Sequence, residues 1–163
     1  MHQRQVIRTN DFALKLANVN GTGSASANGL LMQAIFRMGI PVSGKNLFPS
    51  NIQGLPTWYE VRVSKSGDTA RALDYDLCIA MNVETYARDV KEVRSGGALL
   101  YDSSWPLDAA LARPDVTFLG VPLARMCNEI FNDSRERILM KNIAYLGTLV
   151  ALLDIDMGVI DEL

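Results

Sequence analysis

The succession of elements predicts an α/β fold: a three-layer α/β/α sandwich with a mostly parallel sheet and one antiparallel element. Three observations carry this expectation. Short apolar or alternating runs of strand length recur between segments with helical apolar spacing. A glycine-rich turn joins the first such run to the first helical segment, which is how a βαβ unit begins. Further on, two extended segments follow each other without a helix between them, which points to an antiparallel pair.

Taken in order, Phe12–Val19 alternates apolar and polar residues and predicts a strand. After Asn20-Gly21-Thr22-Gly23-Ser24, the stretch Ala25–Met38 carries Leu30, Leu31, Ala34, Ile35 and Met38 at helical spacing, and Gly39 is placed to close the helix. Ile40-Pro41-Val42 begins the second extended segment. Thr57–Ser64 is aromatic and β-branched, with Tyr59, Val61 and Val63 on one face and Glu60, Arg62 and Ser64 on the other. A turn at Lys65-Ser66-Gly67-Asp68 follows. Asp76–Met81 is almost wholly apolar, as expected of a strand covered on both faces. Glu84–Val93 reads as helix, broken by Gly96-Gly97, and Ala98–Tyr101 and Val116–Val121 as strands. Leu123–Phe131 and Arg135–Leu153 read as helices, and the stretch from Asp156 begins a new amphipathic turn.

The totals narrow the function classes. A chain of 163 residues with 48% hydrophobic and 21% charged residues predicts one soluble domain with a sizeable core. A net charge of −2 argues against a nucleic-acid partner. No apolar run is long enough to cross a membrane, and the expected location is cytoplasmic. Cys78 and Cys127 lack metal or redox spacing and are expected to be buried thiols. His2 is the only histidine, which argues against a histidine triad or a histidine metal cluster, so no catalytic residue and no metal ligand is expected.

The densest local chemistry lies in Phe48-Pro49-Ser50-Asn51-Ile52-Gln53-Gly54-Leu55-Pro56-Thr57-Trp58-Tyr59. Two prolines fix φ, a glycine frees it, and Ser50, Asn51 and Gln53 bring short polar groups into an apolar setting. The favoured reading of the composition alone is a turn whose Trp58 and Tyr59 are core anchors. The second candidate is Gly21-Thr22-Gly23-Ser24, whose backbone N–H groups at a helix start favour an anion, with Lys45 in reach of a ligand phosphate as a point charge. The turn departs from the dinucleotide fingerprint. Ser26 stands where the last glycine belongs, and Ser43, Gly44 and Lys45 stand where an acidic residue belongs, so NAD is disfavoured. The same turn also fits a plain βα connection with Ser24 capping the helix. Asn82 and Asp102 lie at strand ends, where they either face a ligand or cap the next turn. Arg135, Arg137, Lys141, Asn142, Tyr145 and Gly147 read as a solvated helix face or a partner surface, and Met32, Met38, Met126 and Met140 as core filler.

The run Phe48–Gly54, the strand that opens at Thr57-Trp58-Tyr59, the turn Gly21–Ser24, the stretch Gly96–Ser103, and Asn142 with Gly147 together resemble the γ domain of the 2-oxoacid:ferredoxin (acceptor) oxidoreductases. The resemblance runs from about Phe12 to Val150 and is strongest to the form fused ahead of the thiamine-binding alpha subunit, most often tied to 2-oxoglutarate. The family usually has glycine where Ser24 stands, and an acidic residue and an arginine where Asn51 and Gln53 stand; neutral amides replace the ion pair here.

The resemblance implies a pyruvate:ferredoxin oxidoreductase γ-like fold over residues 1–163, as the N-terminal part of a longer subunit. It implies docking on alpha and beta subunits that hold thiamine diphosphate, magnesium and iron–sulfur clusters. This chain would bind none of these and would help position coenzyme A, a substrate of the whole enzyme. The candidate ligand residues are Gly21, Thr22, Gly23, Ser24, Lys45, Ser50, Asn51, Gln53 and Gly54, with Gly21–Ser24 and Ser50–Gly54 expected side by side. The alternatives are a stand-alone nucleotide-binding α/β domain and an assembly module without a ligand.

Overall fold

The computed structural model describes residues 9–48 and 52–163. The strands are β1 (Asp11–Val19), β2 (Val42–Leu47), β3 (Pro56–Ser64), β4 (Tyr75–Ala80), β5 (Val93–Asp102) and β6 (Thr117–Val121). The helices are α1 (Ser24–Arg37), α2 (Tyr86–Glu92), α3 (Leu123–Ile130), α4 (Ser134–Leu152) and α5 (Met157–Asp161). Among the described residues the strands form one six-stranded sheet in the order β2-β3-β1-β4-β5-β6. Only β3 runs against the others, pairing antiparallel with both β1 and β2, while β4, β5 and β6 continue parallel to β1. The antiparallel element expected from the two helix-free extended segments is therefore β3. It separates β1 from β2, so the β1–α1–β2 unit is split rather than adjacent.

Side-chain alternation puts the core on two faces. Leu14 and Leu16 of β1, Val61 and Val63 of β3, and Leu77 and Ile79 of β4 pack with α1 and α4. Ala13, Cys78, Ala80 and Leu99 pack on the other face with Tyr86 and Val90 of α2. Leu14, Leu16, Leu31 and Leu149 are at most 1% exposed, and each contributes about 1.5–3 kcal/mol relative to an exposed side chain.

The helices end where local chemistry stops them. α1 buries Ala27, Leu31, Ala34 and Ile35 on one stripe. It closes with Gly39 N–H donating to Phe36 O (2.9 Å) and Ile40 N–H to Ile35 O (3.3 Å), the Schellman pattern. α4 starts on Asp133, whose Oδ1 accepts from the N–H groups of Arg135 and Glu136, both at 2.9 Å. Its buried residues Asn142, Tyr145, Leu146, Leu149 and Val150 recur at helical spacing. Asn142 and Tyr145 therefore leave the solvated face on which the sequence placed them.

Three further elements depart from expectation. The Glu84–Val93 segment is a 3-10 turn (Val83–Thr85) followed by the short α2, because the Asn82 side chain caps Glu84 N–H (3.1 Å) and sets a tight start. Gly96-Gly97 breaks no helix. β5 already begins at Val93, and residues 94–97 form an irregularity between the pairs Tyr75–Val93 and Leu77–Ala98, held by Gly96 N–H on Asp115 O (2.7 Å). Met38 and Met126 are exposed rather than core.

Candidate functional site

The connection after β1 is tied by its backbone to the loop before β3. Asn20 N–H donates to Leu55 O (2.8 Å) and Gly54 N–H to Asn20 O (2.9 Å). Asn20 Nδ2 donates to Ile52 O (3.1 Å). Gly21 and Gly23 stand at φ 84° and 83°, and a Cβ on Gly21 would lie 2.5 Å from Gln53 Cγ. Left-handed backbone together with so close an approach admits only glycine. Thr22 Oγ1 closes the turn on Val19 O (2.8 Å), and Asn142 Nδ2 reaches in from α4 to Thr22 O (2.7 Å).

Gly23, not Ser24, is the N-cap of α1, and among the described residues no side-chain oxygen caps the helix. Ser24 is its first residue and is buried. The serine cap that the plain βα reading of this turn required is thus replaced by a left-handed glycine, which has no side chain to cap with.

Behind this turn lies a cavity of about 210 Å³. It is bounded by the start of α1 with Asn28, the ends of β1 and β2 at Asn18, Asn46 and Phe48, and the start of β3 at Thr57 and Tyr59. The described residues that line it include four asparagines, Asn18, Asn20, Asn28 and Asn46, and none of them is charged. Tyr145 of α4 forms its buried support, donating from its hydroxyl to Asn28 Oδ1 (2.9 Å) with Ser24 O at 3.4 Å. Burial pushes the Tyr145 phenol well above its ordinary value, so it stays a neutral donor.

The structure brings part of the predicted set together. Gly21, Gly23 and Ser24 line the cavity, and Thr22 completes the turn. Gln53 and Gly54 pack and hydrogen-bond against it. Ser50 and Asn51 lie outside the described residues. Lys45 is not beside the turn. Along β2 it alternates with Asn46, so Asn46 lines the cavity while Lys45 borders a second depression of about 220 Å³.

That second depression is charged. Glu60 accepts from Arg71 Nε and Nη2, both at 2.6 Å, and closely from the Tyr75 hydroxyl. Burial pushes the Glu60 carboxyl up. The hydrogen bonds from Arg71 and Tyr75 and the Arg71 and Lys15 charges outweigh this and hold it below its ordinary value. Nearby, the buried Lys15 pairs closely with Glu92 and lies 5.2 Å from the centre of the Trp58 ring. At the end of β5, Asp102 is fully buried and accepts from Ser104 N–H (3.1 Å) and Ala124 N–H (3.1 Å to Oδ2). It joins a turn to the start of α3, which is the capping role.

Sequence reasoning missed Asn18, Asn28, Asn46 and the role of Tyr145. Two signals were available. Asn18 shares the inward parity of Leu14 and Leu16, and Asn28 interrupts the apolar stripe of Ala27 and Leu31. A polar group on an inward position must find a partner or face a cavity.

Topology adds weight to the location. From β1 the chain leaves through α1 toward β2, and from the adjacent β4 through α2 toward β5, on opposite faces and in opposite directions. The carboxyl ends of β1 and β4 are thus a switch point, the usual place for a ligand in an open α/β sheet, and the cavity lies next to it on the β1–β3–β2 side. No helix among the described residues is long and apolar enough to cross a membrane, and no group of three or more acidic, cysteine or histidine side chains among them could hold a metal.

Comparison with known proteins accords with this architecture. Subunit alpha of 2-oxoacid:ferredoxin oxidoreductase 2 from Aeropyrum pernix is 29% identical over 92 residues, 56% of this chain and 14% of that protein. The chain thus spans only a small part of the curated relative it matches. Among solved structures, the fold is similar to 2-oxoglutarate:ferredoxin oxidoreductase from Magnetococcus marinus, solved with 2-oxoglutarate, coenzyme A and succinyl-CoA bound. That match has a TM-score of 0.82 and 24% identity over 95% of this chain and 26% of that one. It is also similar to the gamma subunit of keto/oxoacid ferredoxin oxidoreductase from Geobacter sulfurreducens, with a TM-score of 0.71 and 19% identity over 93% of this chain and 83% of that one. The pyruvate oxidoreductase subunit PORC from Thermotoga maritima gives a TM-score of 0.70 and 19% identity over 94% and 83%. The signature described as pyruvate ferredoxin/flavodoxin oxidoreductase matches residues 13–163, and the chain belongs to that family.

Proposed function

We propose that this chain is the γ domain of a 2-oxoacid:ferredoxin oxidoreductase, a component that serves the whole enzyme without carrying its chemistry. In this reading it docks on thiamine-binding alpha and beta subunits in the cytoplasm and helps position coenzyme A, with 2-oxoglutarate the favoured 2-oxoacid. The observation that carries the reading is the family match over residues 13–163. The coenzyme A part draws support from the cavity behind the glycine turn and from the Magnetococcus enzyme, whose structure holds coenzyme A. The reading is the same whether the domain is a separate subunit, as in Geobacter, or part of a longer chain.

What this chain's residues contribute is positional. The Asn20–Leu55 and Gly54–Asn20 bonds fix the loop before β3 against the glycine turn, and Asn142 fixes that turn to α4. A ligand meeting this edge finds preformed walls, and little ordering cost remains to be met on binding. Oxidative decarboxylation itself belongs to thiamine diphosphate and iron–sulfur clusters, assigned here to partner subunits together with magnesium.

The test is isolation of the chain from its native host with whatever copurifies. The expected result is a complex that reduces ferredoxin with a 2-oxoacid only when coenzyme A is present, with 2-oxoglutarate preferred to pyruvate, and no turnover by the chain alone. A complex without 2-oxoacid oxidation, or firm binding of NAD or FAD in calorimetry, would overturn the reading in favour of a nucleotide-binding domain.

A further inference from the structure

We propose that the open edge of β2 takes an extended segment of a partner polypeptide, with side chains that alternate between apolar and acidic, as a further strand of the sheet. That the partner is an alpha or beta subunit rests on the docking reading above. The chemistry of the edge does not.

The first observation is the backbone. β2 ends the sheet, with β3 on one side and no strand among the described residues on the other. Ser64 N–H donates to Pro41 O (3.1 Å), so Pro41 and Ser64 stand as a hydrogen-bonded pair. In an antiparallel ladder such pairs alternate, and the register places Ser43 opposite Arg62 and Lys45 opposite Glu60 as the next two. Val42, Gly44 and Asn46 therefore turn their N–H and C=O groups away from β3. Gly44 and Asn46 are exposed, and none of the three outward backbones has a partner among the described residues. A row of open donors and acceptors is a template for another strand.

The second observation is that the two sides of this edge differ. On the helix side, Met32 Sδ accepts from the Tyr59 hydroxyl (3.3 Å) and would lie 2.8 Å from a Cβ on Gly44. One turn further along the same side of α1, Phe36 is 69% exposed. An incoming strand finds apolar cover there. On the other side, Ser43 and Lys45 border the charged depression. Its cations are answered one by one: Arg71 by Glu60 and Arg62 by Asp11. Lys45 lies opposite Glu60, but that carboxylate is taken by Arg71 and Tyr75, and Lys45 has no ion-pair partner among the described residues. A carboxylate on the incoming strand would supply one.

The same charge argues against a second copy of this chain. Antiparallel self-pairing centred on Gly44 sets the two Lys45 side chains diagonally on one face and brings no carboxylate between them.

The test is amide hydrogen exchange, read residue by residue on the 15N-labelled full chain and over residues 42–46 in the complex isolated from the native host. In the free chain Val42, Gly44 and Asn46 should exchange fast and Ser43 and Lys45 slowly; the reverse order would overturn the inference. The probes are two capped octapeptides, one of alternating valine and glutamate, the other of alternating valine and lysine. The glutamate peptide should slow the three outward amides roughly tenfold at saturation, and the lysine peptide should not. Lys45→Glu should weaken the glutamate peptide roughly tenfold. Asn46→Pro removes one outward N–H without touching the bonds to β3 and should weaken it as well; if that variant fails to fold, Lys45→Glu carries the test. Equal protection by both peptides, or by neither, overturns the inference, as does protection that rises with the concentration of the chain alone. A native complex that holds alpha and beta subunits yet leaves residues 42–46 exchanging as in the free chain overturns it while the docking reading stands. Protection by the glutamate peptide alone, in a chain that copurifies with no other oxidoreductase subunit, would uphold the chemistry of the edge and remove the docking reading.

Discussion

Tyr145→Phe removes one oxygen from the point where the far helix meets the candidate site. The ring is 0% exposed, so its packing against the core is retained and no sizeable cavity is made. What goes is the 2.9 Å bond to Asn28 Oδ1. Asn28 is 4% exposed, so its carbonyl is left buried without that donor. Loss of a bond that leaves a buried partner unsatisfied costs about 1–3 kcal/mol. In a domain of this size, each kcal/mol lowers the melting temperature by about 2–4 °C. Urea unfolding should show a lower midpoint at unchanged slope. Pairing the variant with Asn28→Leu isolates the bond, and the cycle should show a coupling of about 0.5–2 kcal/mol. Ionisation does not confuse the measurement, since burial holds the phenol neutral throughout the working range. A Phe variant within about 0.5 kcal/mol of the parent, or a cycle with no coupling, would refute the claim that Tyr145 anchors α1 to α4 at the cavity.

Glu60→Gln tests the charged depression. Because the folded pKa of Glu60 lies below its ordinary 4.5, its contribution is complete above that value and lost as pH falls through the folded pKa. The parent should lose stability more steeply than the Gln variant at acid pH in urea midpoints, and parallel pH profiles would count against the clamp. Asp89 acts with the opposite sign, since burial raises its pKa, and it is present in both proteins. Gly21→Ala meets left-handed backbone and Gln53, and should cost at least about 1–2 kcal/mol. Gly147→Ala, inside α4 with nothing within 4 Å of the added carbon, should stabilise by about 0.5–1 kcal/mol. Thermal melts showing the same sign for both glycine variants would contradict the local geometry. Asp102→Ala leaves the Ser104 and Ala124 N–H groups without their acceptor and should cost about 2–3 kcal/mol in chemical unfolding. A loss under about 0.5 kcal/mol would mean that the carboxylate is not the cap.

Periodicity made most of the sheet legible. Tyr59, Val61 and Val63 face the α1 and α4 layer as their alternation requires, and the bare junction between β2 and β3 announced the antiparallel strand. Long helices were legible for the same reason. The start of α2 was not, because Asn82 competes for the backbone over a range too short for periodicity to register. The Gly96-Gly97 region was misread because a bulge and a helix break use the same residue type. At the site, the glycine turn and Gln53-Gly54 were visible as chemistry. Lys45 was assigned by sequence distance, which says nothing about strand parity until the register with β3 is known. Asn142 and Tyr145 act across 120 and 117 positions of chain, and such contacts become visible only once the helices are packed.

The two sheet faces are finished by different means, and this explains why a lysine can be buried here. On one face α1 and α4 supply an apolar cover. On the other, α2 covers the β4–β5 side, while β1 and β3 present Lys15, Trp58 and Glu60. Exposed aliphatic side chains in that position would form a sticky patch. Isolated buried charges would be costly. The chain combines cation and carboxylate at each step: Lys15 with Glu92, Arg88 with Glu92, Arg71 with Glu60. The ring of Trp58 lies against both Lys15 and Arg88, and its Nε1 donates to Asp89 (3.0 Å). Such a layer adds less stability than an apolar one of equal volume, but it holds its geometry, because moving any one group strands another. β1 passes through both environments, with Lys15 set in the charged layer on one face and Leu16 in the apolar core on the other. Its carboxyl end at Asn18–Asn20 is therefore fixed from two sides, and a cavity built on that end inherits the rigidity.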